Sequence, residues 1–391
     1  MGLLFLTLFN SILGLSILFP IIGPLARELG LTEFQTGLFS TAYAFMQFLM
    51  SPYWGRKSEE VGRKPILLVG ILGFSVSFFL FALFAQLRFA GTLGAGATFF
   101  LLLLARLVGG ALSSATLPTA QAYVADITGR KERTAGMALI GAAFGLGVIA
   151  GPGLGGLLAK AHLLAPVYFS ASLALLNALF VLLTLPEPKR HVPLEATPSL
   201  KPQDRRILPL LAAGLAISLA SVSMETTVAF YFQDRLGLNA QRTARAVATA
   251  LVAYGLAAVF VQGFLIRKFK WPPKILLGLG LPLSILGFCT FVFAKSFGLL
   301  TLALVLQGVG QGLSAPGITA ALSLAVGEHE QGPVAGLNSS AQALGRMLGP
   351  LLGTGLYQWV APHAPYAASA LLLLMTALLL LAPASRKALQ T

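Results

Sequence analysis

The sequence contains twelve long apolar runs, each close to the length of about 20 residues that a helix needs to cross a membrane. Hydrophobic residues make up 56% of the 391-residue chain, and charged residues only 10%. A soluble protein of this composition would have too few polar groups to cover its surface. Backbone groups in lipid must be paired within their own segment, so every run is predicted to be a helix. The predicted spans are residues 3–24, 35–54, 65–87, 98–124, 135–158, 166–185, 208–232, 246–266, 275–294, 299–323, 336–359 and 365–384.

The basic residues predict how the spans are oriented. Most of the 27 lysines and arginines fall in the loops after even-numbered spans, in a central polar segment and in the C-terminal tail. Loops rich in these residues face the cytoplasm, so we predict a multi-pass protein of the inner or plasma membrane with both termini cytoplasmic. The net charge of +14 is then a topology signal that faces anionic lipid. Membrane lipid is therefore a predicted partner, and nucleic acid is not.

The longest polar segment divides the chain. Residues 186–207 read PEPKRHVPLEATPSLKPQDRRI, and their prolines and charges predict a linker rather than a packed element. The predicted domains are an N-terminal six-helix bundle over 1–185 and a C-terminal six-helix bundle over 208–391. The predicted fold class is an all-α membrane protein with twelve transmembrane helices in two pseudo-symmetric bundles.

The two halves contain similar segments in the same order. RLVGGALSSATLP from Arg106 resembles QGVGQGLSAPG from Gln307, and AGPGLGG from Ala150 resembles LGPLLGT from Leu348. RELGL from Arg27 resembles DRLGL from Asp234, at a comparable separation of about 200 residues. Three matches in one order indicate duplication. Two repeated six-span halves are a known plan of transporters, with the substrate site near the midplane between the halves.

The segment SPYWGRKSEEVGRKPIL, residues 51–67, lies between the second and third predicted spans. Its pattern P-x-x-G-x-x-S-acid-x-x-G-R-K-P resembles the cytoplasmic signature of the major facilitator superfamily. Two positions depart from that pattern, since Glu59 stands where an aspartate is usual and Glu60 where a base is usual. The matching residues are Pro52, Gly55, Ser58, Glu59, Gly62, Arg63, Lys64 and Pro65.

Two further motifs also resemble those of the major facilitator superfamily. RLVGG from Arg106 resembles the intramembrane arginine motif of the superfamily, and GLGVIAGPGLGG from Gly145 resembles the glycine-rich motif of its twelve-span drug:proton antiporters. In that branch the first span often carries an aspartate where this chain has Ser11, with Asn10 beside it. The glycine-rich motif of the fifth span predicts a tight, kinked helix contact with the other half of the protein near the extracellular side. Its residues are Gly147, Gly151, Pro152, Gly155 and Gly156.

The resemblance implies a cytoplasmic latch. Glu59 would interact with the N-terminus of the eleventh span, where a carboxylate complements the helix dipole, and Arg63 would pair with Asp126. Such contacts would hold the halves together in the outward-facing state. The alternative is a solvated loop that only marks topology. The predicted latch comprises Gly55, Glu59, Gly62, Arg63, Lys64 and Asp126.

Three charges lie inside predicted spans. A charge in the hydrocarbon region costs several kcal/mol, so each should face a partner or water. Glu225 is the clear intramembrane acid, and we predict that it is the proton or cationic-substrate site; the alternative is a local hydrogen bond to a neighbouring helix. Arg106 would then be a cavity charge that tunes this acid, or an arginine held by carbonyls. Arg346 would bind an anionic group or pair with Glu225.

Polar residues in the spans are candidates to line a cavity. Most polar residues in membrane helices instead join neighbouring helices, so this alternative stays open for each one. The candidates are Asn10, Ser11, Tyr43, Gln47, Gln121, Tyr254, Gln307, Gln311, Asn338 and Gln342.

The predicted function is secondary active transport by alternating access. No phosphate-binding loop and no metal-ligand spacing occurs in the sequence, so neither an enzyme, a cofactor nor a metal is expected, and the proton gradient is the expected energy source. The resemblance implies proton-coupled export of small amphipathic compounds by a monomer. The alternative is uptake, facilitated transport or lipid flipping of an anionic or zwitterionic metabolite, and a non-transporting scaffold is a third interpretation.

Overall fold

A computed structural model describes residues 2–127, 133–188, 200–327 and 330–381, which form fifteen α-helices and no strand within those ranges. A five-residue π-helical segment, Val261–Leu265, joins the tenth and eleventh helices. The helices are α1 (Gly2–Ser16), α2 (Ile22–Glu28), α3 (Glu33–Val61), α4 (Arg63–Phe89), α5 (Ala95–Ser113), α6 (Thr116–Ile127), α7 (Arg133–Leu158), α8 (Ala165–Thr184), α9 (Leu208–Leu236), α10 (Ala240–Phe260), α11 (Ile266–Phe269), α12 (Pro273–Phe293), α13 (Phe297–Leu324), α14 (Gln331–Trp359) and α15 (Ala364–Leu381).

Each predicted span corresponds to one helix or to a broken helix, so the all-helical prediction is confirmed. The first span is divided between α1 and α2, the fourth between α5 and α6, and the eighth between α10 and α11. By length and composition alone, eight helical stretches of the described chain are long and apolar enough to cross a membrane. The count of twelve therefore includes helices such as α3 and α14, which are long but more polar.

The break in the first span has a local cause. Pro20 lacks a backbone N–H, so a regular helix cannot continue through it without loss of a hydrogen bond. Tighter bonds replace the helical ladder just before it, from Leu18 N–H to the Leu15 carbonyl and from Phe19 N–H to the Ser16 carbonyl. The prediction of one continuous helix over 3–24 was wrong at this point.

Helix α3 extends beyond the predicted second span. It runs to Val61, so Arg56, Lys57, Glu59 and Glu60 lie on its last two turns rather than in a loop. The turn is at Gly62, whose φ of +120° is a conformation that favours glycine. Gly55, a residue of the predicted latch, lies within α3 and not at the turn.

The first compact unit contains Met1–Pro193 and Leu238–Thr249. In it α1 packs on α7, α4 packs on α5 and α8, and α3 packs on α5. The second unit contains Leu194–Gly237 and Ala250–Thr391, and in it α9 packs on α14 while α12 packs on α13 and α15. Counted as spans, the pairs 1–5, 3–4 and 3–6 of the first unit recur as 7–11, 9–10 and 9–12 of the second. This repeated pairing agrees with the sequence similarity between the halves.

The units do not follow the predicted boundaries residue for residue. Residues 238–249, which include the start of α10, group with the first unit, and residues 200–207 group with the second. The division into bundles over 1–185 and 208–391 with a linker between them stays a prediction.

Candidate functional site

The carboxylate of Glu225 lies on α9 within the second unit, where its side chain is half-buried. Ser221, one turn earlier on α9, donates its hydroxyl to Glu225 Oε1 at 3.2 Å. Tyr254 of α10 is buried beside this pair, with its hydroxyl within reach of Ser221 and in the field of Glu225. Glu225 therefore has a weak hydrogen bond within its own helix and a neighbouring phenol, whereas the alternative interpretation expected a bond to a neighbouring helix.

Arg346 of α14 faces the same cluster. Its guanidinium attracts the Glu225 carboxylate electrostatically, but no ion pair within 4 Å forms between them in the described chain. Arg346 lies about midway along α14, and its side chain is exposed. The predicted partnership of Glu225 and Arg346 thus exists as a longer-range attraction rather than a closed salt bridge.

Close packing of α14 on α9 explains why these two groups meet. Three glycines at four-residue intervals, Gly345, Gly349 and Gly353, lie against Ser218, Leu219 and Ser223 of α9. Ser218 also donates its hydroxyl to the Gln342 carbonyl at 2.9 Å. Small residues at this spacing let helix backbones approach closely. They hold Arg346 in register with the turn of α9 that carries Glu225.

Arg106 of α5 lies in the first unit and is 7% exposed. Its guanidinium carbon is 4.4 Å from the centre of the Tyr43 ring and 5.5 Å from that of Phe78. Tyr43 in turn shares a 2.6 Å hydrogen bond with Ser113. Arg106 Nη1 has no hydrogen-bond partner in the described chain. The two rings stabilise this arginine by cation–π contacts, a partner type that sequence reasoning did not anticipate.

A second cluster lies where α3 meets α4. Arg63 Nε donates to Asp126 Oδ2 at 2.8 Å, and Arg63 Nη1 donates to the Ser58 hydroxyl at 2.7 Å. The expected pairing of Arg63 with Asp126 is therefore present, and it ties α4 to the end of α6. Whether this pair acts as a latch stays a prediction.

Glu187 was missed by the sequence analysis. Its two carboxylate oxygens accept the backbone N–H groups of Arg63 and Lys64, the latter at 2.9 Å, so it caps the N-terminus of α4. Tyr123 holds the same segment by donating its hydroxyl to the Pro186 carbonyl at 2.8 Å. The signal was an acid just after the sixth span, because a carboxylate near a helix N-terminus satisfies its free N–H groups.

The acids of α3 behave differently from Asp126. Glu59 is exposed, and in the described ranges it forms neither a hydrogen bond nor an ion pair. Glu60, the acid at the position where a base is usual, forms a 2.9 Å ion pair with Lys57. The helix that was expected to receive Glu59 begins at Gln331, somewhat before the predicted start at 336. The interaction of Glu59 with it stays a prediction.

Comparison with known proteins decides the family. Residues 4–281 and 243–391 match the Major Facilitator Superfamily. Multidrug resistance protein 1 of Bacillus subtilis (strain 168) is 31% identical over 395 residues, which cover 99% of this chain and 97% of that protein. The chain belongs to the Major Facilitator Superfamily. It is a multi-pass membrane transporter, and the predicted family, transporter class and membrane location are confirmed at this level.

Further similarities cover almost the whole transporter. Quinolone resistance protein NorA of Staphylococcus aureus (strain MSSA476) is 26% identical over 363 residues, covering 90% of this chain and 89% of that one. The crystal structure of a bacterial homolog to the human lysosomal transporter Spinster has a TM-score of 0.75 at 16% identity. That match covers 98% of this chain and 96% of the other, and it supports the fold alone.

The glycine motif of this transporter contacts two helices. Gly147, Gly151 and Gly155 of α7 lie against α1, and a side chain at Gly151 would meet the Ser16 hydroxyl. Ser16 donates that hydroxyl to the Gly147 carbonyl at 2.8 Å. Gly156 lies against Ala248 of α10. The predicted contact with the other half of the sequence therefore involves Gly156, whereas the other three glycines pack within the first six spans.

The polar candidates separate into two groups. The first group makes helix-joining or local hydrogen bonds: Gln307 donates to the Ser284 carbonyl at 2.6 Å, Ser11 donates to the Thr7 carbonyl at 2.9 Å, and Tyr43 bonds Ser113. Gln307 and Tyr43 are both buried, and a role for either in a cavity stays a prediction. Asn338 is also buried, and its Oδ1 has no hydrogen-bond partner in the described ranges. The candidates with half-buried or exposed side chains are Asn10, Gln47, Gln121, Gln311 and Gln342.

Across the described residues, no three His, Cys, Asp or Glu side chains are placed together so that they could hold a metal ion.

Proposed function

We propose that this transporter exports small amphipathic compounds in exchange for protons by alternating access. Support comes from the setting of Glu225 on a membrane-spanning helix: within the described residues its hydrogen bond is the 3.2 Å bond from Ser221, and Arg346 attracts it without forming an ion pair. A carboxyl group in this setting can lose its proton without becoming locked in a salt bridge.

The charge of Glu225 gives protonation a structural consequence. When the carboxyl is ionised, Arg346 attracts it, and when it is protonated, that attraction is lost. The energy of two opposite charges at a given distance is several times larger in a protein interior than in water. A conformational equilibrium shifts by as much as the two states differ in such an interaction. Proton binding would therefore favour one arrangement of α9 and α14 over another.

The neighbours of Glu225 favour a cationic or neutral amphipathic substrate. Tyr254 offers an aromatic face beside the carboxylate, and an aromatic ring next to an acid is suited to bind an organic cation. The relatives from Bacillus subtilis and Staphylococcus aureus are named for multidrug resistance and for quinolone resistance. These names support export of such compounds as the function of this chain too.

An alternative substrate class is favoured by the arginines. Arg346 lies midway along α14 and is exposed. Arg106 is buried, and its Nη1 has no hydrogen-bond partner in the described chain. Both groups can donate to a carboxylate or a phosphate. The alternative is therefore uptake, facilitated transport or flipping of an anionic or zwitterionic metabolite.

Reconstituted transport distinguishes these functions. The full-length protein is placed in liposomes that contain a pH-sensitive dye, a pH gradient is set, and a cationic amphipathic dye or an anionic metabolite analogue is added. A proton-coupled exporter discharges the gradient when the cationic compound is added. A facilitator moves substrate without proton movement, and a scaffold moves neither, so either result contradicts the proposal.

A further inference from the structure

The turn between α10 and α12 is strongly basic. Four positive side chains, Arg267, Lys268, Lys270 and Lys274, fall within eight residues, and all four are exposed. Aromatic rings lie among them. Phe264 and Phe269 are 49% and 50% exposed, so charge and apolar surface are presented together.

This turn is the second-half counterpart of the turn between α3 and α4. Gly55, Gly62 and Pro65 are separated by seven and three residues, and the same intervals separate Gly263, Lys270 and Pro273. The 208-residue offset that this implies is close to the separation of the other repeated segments. Both turns have a residue of positive φ at this aligned position, Gly62 with a φ of +120° and Lys270 with a φ of +47°, although their ψ angles of 158° and 42° differ. A positive φ is uncommon for a lysine, so the aligned position is conformationally unusual in both halves.

The two copies differ in the sign of their charges. In this alignment the positions of Glu59 and Glu60 are taken by Arg267 and Lys268. The first-half turn is balanced by acids of the protein, because Asp126 pairs with Arg63 and Glu60 pairs with Lys57.

The second-half turn has no such balance. No acidic residue occurs in the sequence from 235 to 327. None of the four bases makes an ion pair in the described part of the chain. Arg267 and Lys268 lie in the last turn of α11, where a helix dipole favours a base, but this leaves their charges without an acid, and Lys270 and Lys274 lie beyond the helix.

The turn is anchored rather than loose. Trp271 and Ile266 pack against a core of Val261, Leu276 and Leu313. Phe269 stacks on Trp271, with ring centres 5.1 Å apart and planes 11° apart. The π-helical segment includes Phe264 and precedes the four bases, and π-bulges are frequent at functional sites. The bases are therefore presented from a fixed surface.

The rings and the bases also act as a unit. Lys268 Nζ lies 5.3 Å from the centre of the Phe264 ring and 5.5 Å from that of Phe269. These cation–π contacts hold the ammonium beside apolar surface while its remaining donors stay available. Aromatic rings at the interface and bases in the headgroup region are the arrangement that a phospholipid surface favours.

We propose that residues 264–274 form a binding site for the headgroups of anionic phospholipids. The uncompensated bases provide the phosphate contacts, and the exposed phenylalanines take the start of the acyl chains. A lipid fits better than a free phosphate ester because the rings alongside the charges would gain nothing from a soluble anion. The surface lies on the side of the membrane that the loop charges predict to be cytoplasmic.

Native mass spectrometry of the full-length protein tests this site. The protein in detergent is titrated with phosphatidylglycerol or with phosphatidylcholine of the same acyl chains. Each base near an anionic surface contributes about 1 kcal/mol, so Arg267→Gln with Lys268→Gln should weaken phosphatidylglycerol binding on the order of 30-fold without change for phosphatidylcholine. Arg267→Glu with Lys268→Glu, which introduces the acids of the first-half copy, should weaken it further.

The matched control removes the same charge from the other turn. Arg56→Gln with Lys57→Gln should leave the high-affinity phosphatidylglycerol binding in place. Equal binding by wild type and by the 267/268 variants, or an equal loss in the control, would overturn the proposal. Displacement of the lipid by glycerol phosphate would also overturn it, because it would identify a soluble-anion site. If the double variants unfold in detergent, Lys268→Gln alone should still give a loss of about fivefold, and no loss would again contradict the site.

Discussion

Arg63 Nε and Asp126 Oδ2 lie 2.8 Å apart, and the two side chains are only 12% and 9% exposed. This contact joins the first turn of α4 to the end of α6. A charge pair that is largely removed from water is costly to break from one side, because the remaining charge is left unpaired.

Removal of one partner should therefore destabilise the protein. We expect Arg63→Gln or Asp126→Asn to lower the free energy of unfolding by about 2–4 kcal/mol. Thermal unfolding in detergent, with the double variant to complete the cycle, measures the coupling. Lys57→Gln is the matched control, since the Lys57–Glu60 pair is exposed and should show no measurable effect. Additive effects of Arg63→Gln and Asp126→Asn would contradict the interpretation.

The cap provided by Glu187 should also be measurable. Glu187→Gln keeps the size of the side chain but removes the charge that faces the N-terminus of α4. A capping interaction with the helix dipole contributes about 0.5–2 kcal/mol, so we expect a loss of that size in thermal unfolding. Glu59→Gln is the control for stability, because Glu59 is exposed. Equal losses for the two variants would show that Glu187 is not a specific cap.

The glycine contact between α7 and α1 predicts a steric effect. A methyl group at Gly151 would meet the Ser16 hydroxyl and the Ile17 backbone, whereas one at Gly145 meets nothing within 4 Å. Gly151→Ala should cost about 1–3 kcal/mol through overpacking. Gly145→Ala should be neutral or stabilising by about 0.5–1 kcal/mol, since alanine favours the helix. If both variants unfold at the same temperature, the close approach is not important for stability.

The ion pairs of Arg206, at the C-terminal end of the predicted linker, should make the stability of the protein depend on pH. Arg206 donates to Asp204 Oδ2 at 2.7 Å and to Glu330 Oε1 at 2.9 Å. These side-chain hydrogen bonds, with backbone N–H bonds from Arg206 to Asp204 and from Gly327 to Glu330, lower the pKa of both carboxyl groups. A lowered carboxyl pKa contributes stability above the unfolded pKa of about 4. That contribution is lost as the pH falls through the folded values.

Thermal unfolding of wild type and Arg206→Gln from pH 7 to pH 3 measures this contribution. We expect a small, constant difference above about pH 5 that shrinks below about pH 4. Arg205→Gln, the neighbouring arginine, is the control and should unfold like the wild type throughout. A difference that grows as the pH falls would have the wrong sign.

Sequence reasoning reached the fold because its signals are local. The length and apolarity of the spans define helices wherever backbone groups must be paired internally, and repeated segments such as those at Ala150 and Leu348 mark the duplication. The break at Pro20 was readable in principle, since proline removes a backbone donor.

The site was predictable only in part. An acid in a long apolar run must be accommodated somewhere, so Glu225 could be singled out from sequence alone. The partners of Arg106 could not, because Tyr43 and Phe78 are distant in sequence and such rings occur in nearly every span. Glu187 was missed because its role depends on where the chain after α8 passes the start of α4, which no local pattern encodes.

If protonation of Glu225 drives transport, proton-driven flux in liposomes depends on this carboxyl group. Glu225→Gln is compared with wild type and with Glu28→Gln, which removes an exposed glutamate at the end of α2. We predict that Glu225→Gln abolishes substrate flux driven by a pH gradient but retains substrate exchange without a gradient, while Glu28→Gln behaves like the wild type. Full proton-driven flux in Glu225→Gln would show that protonation of this carboxyl group does not drive transport.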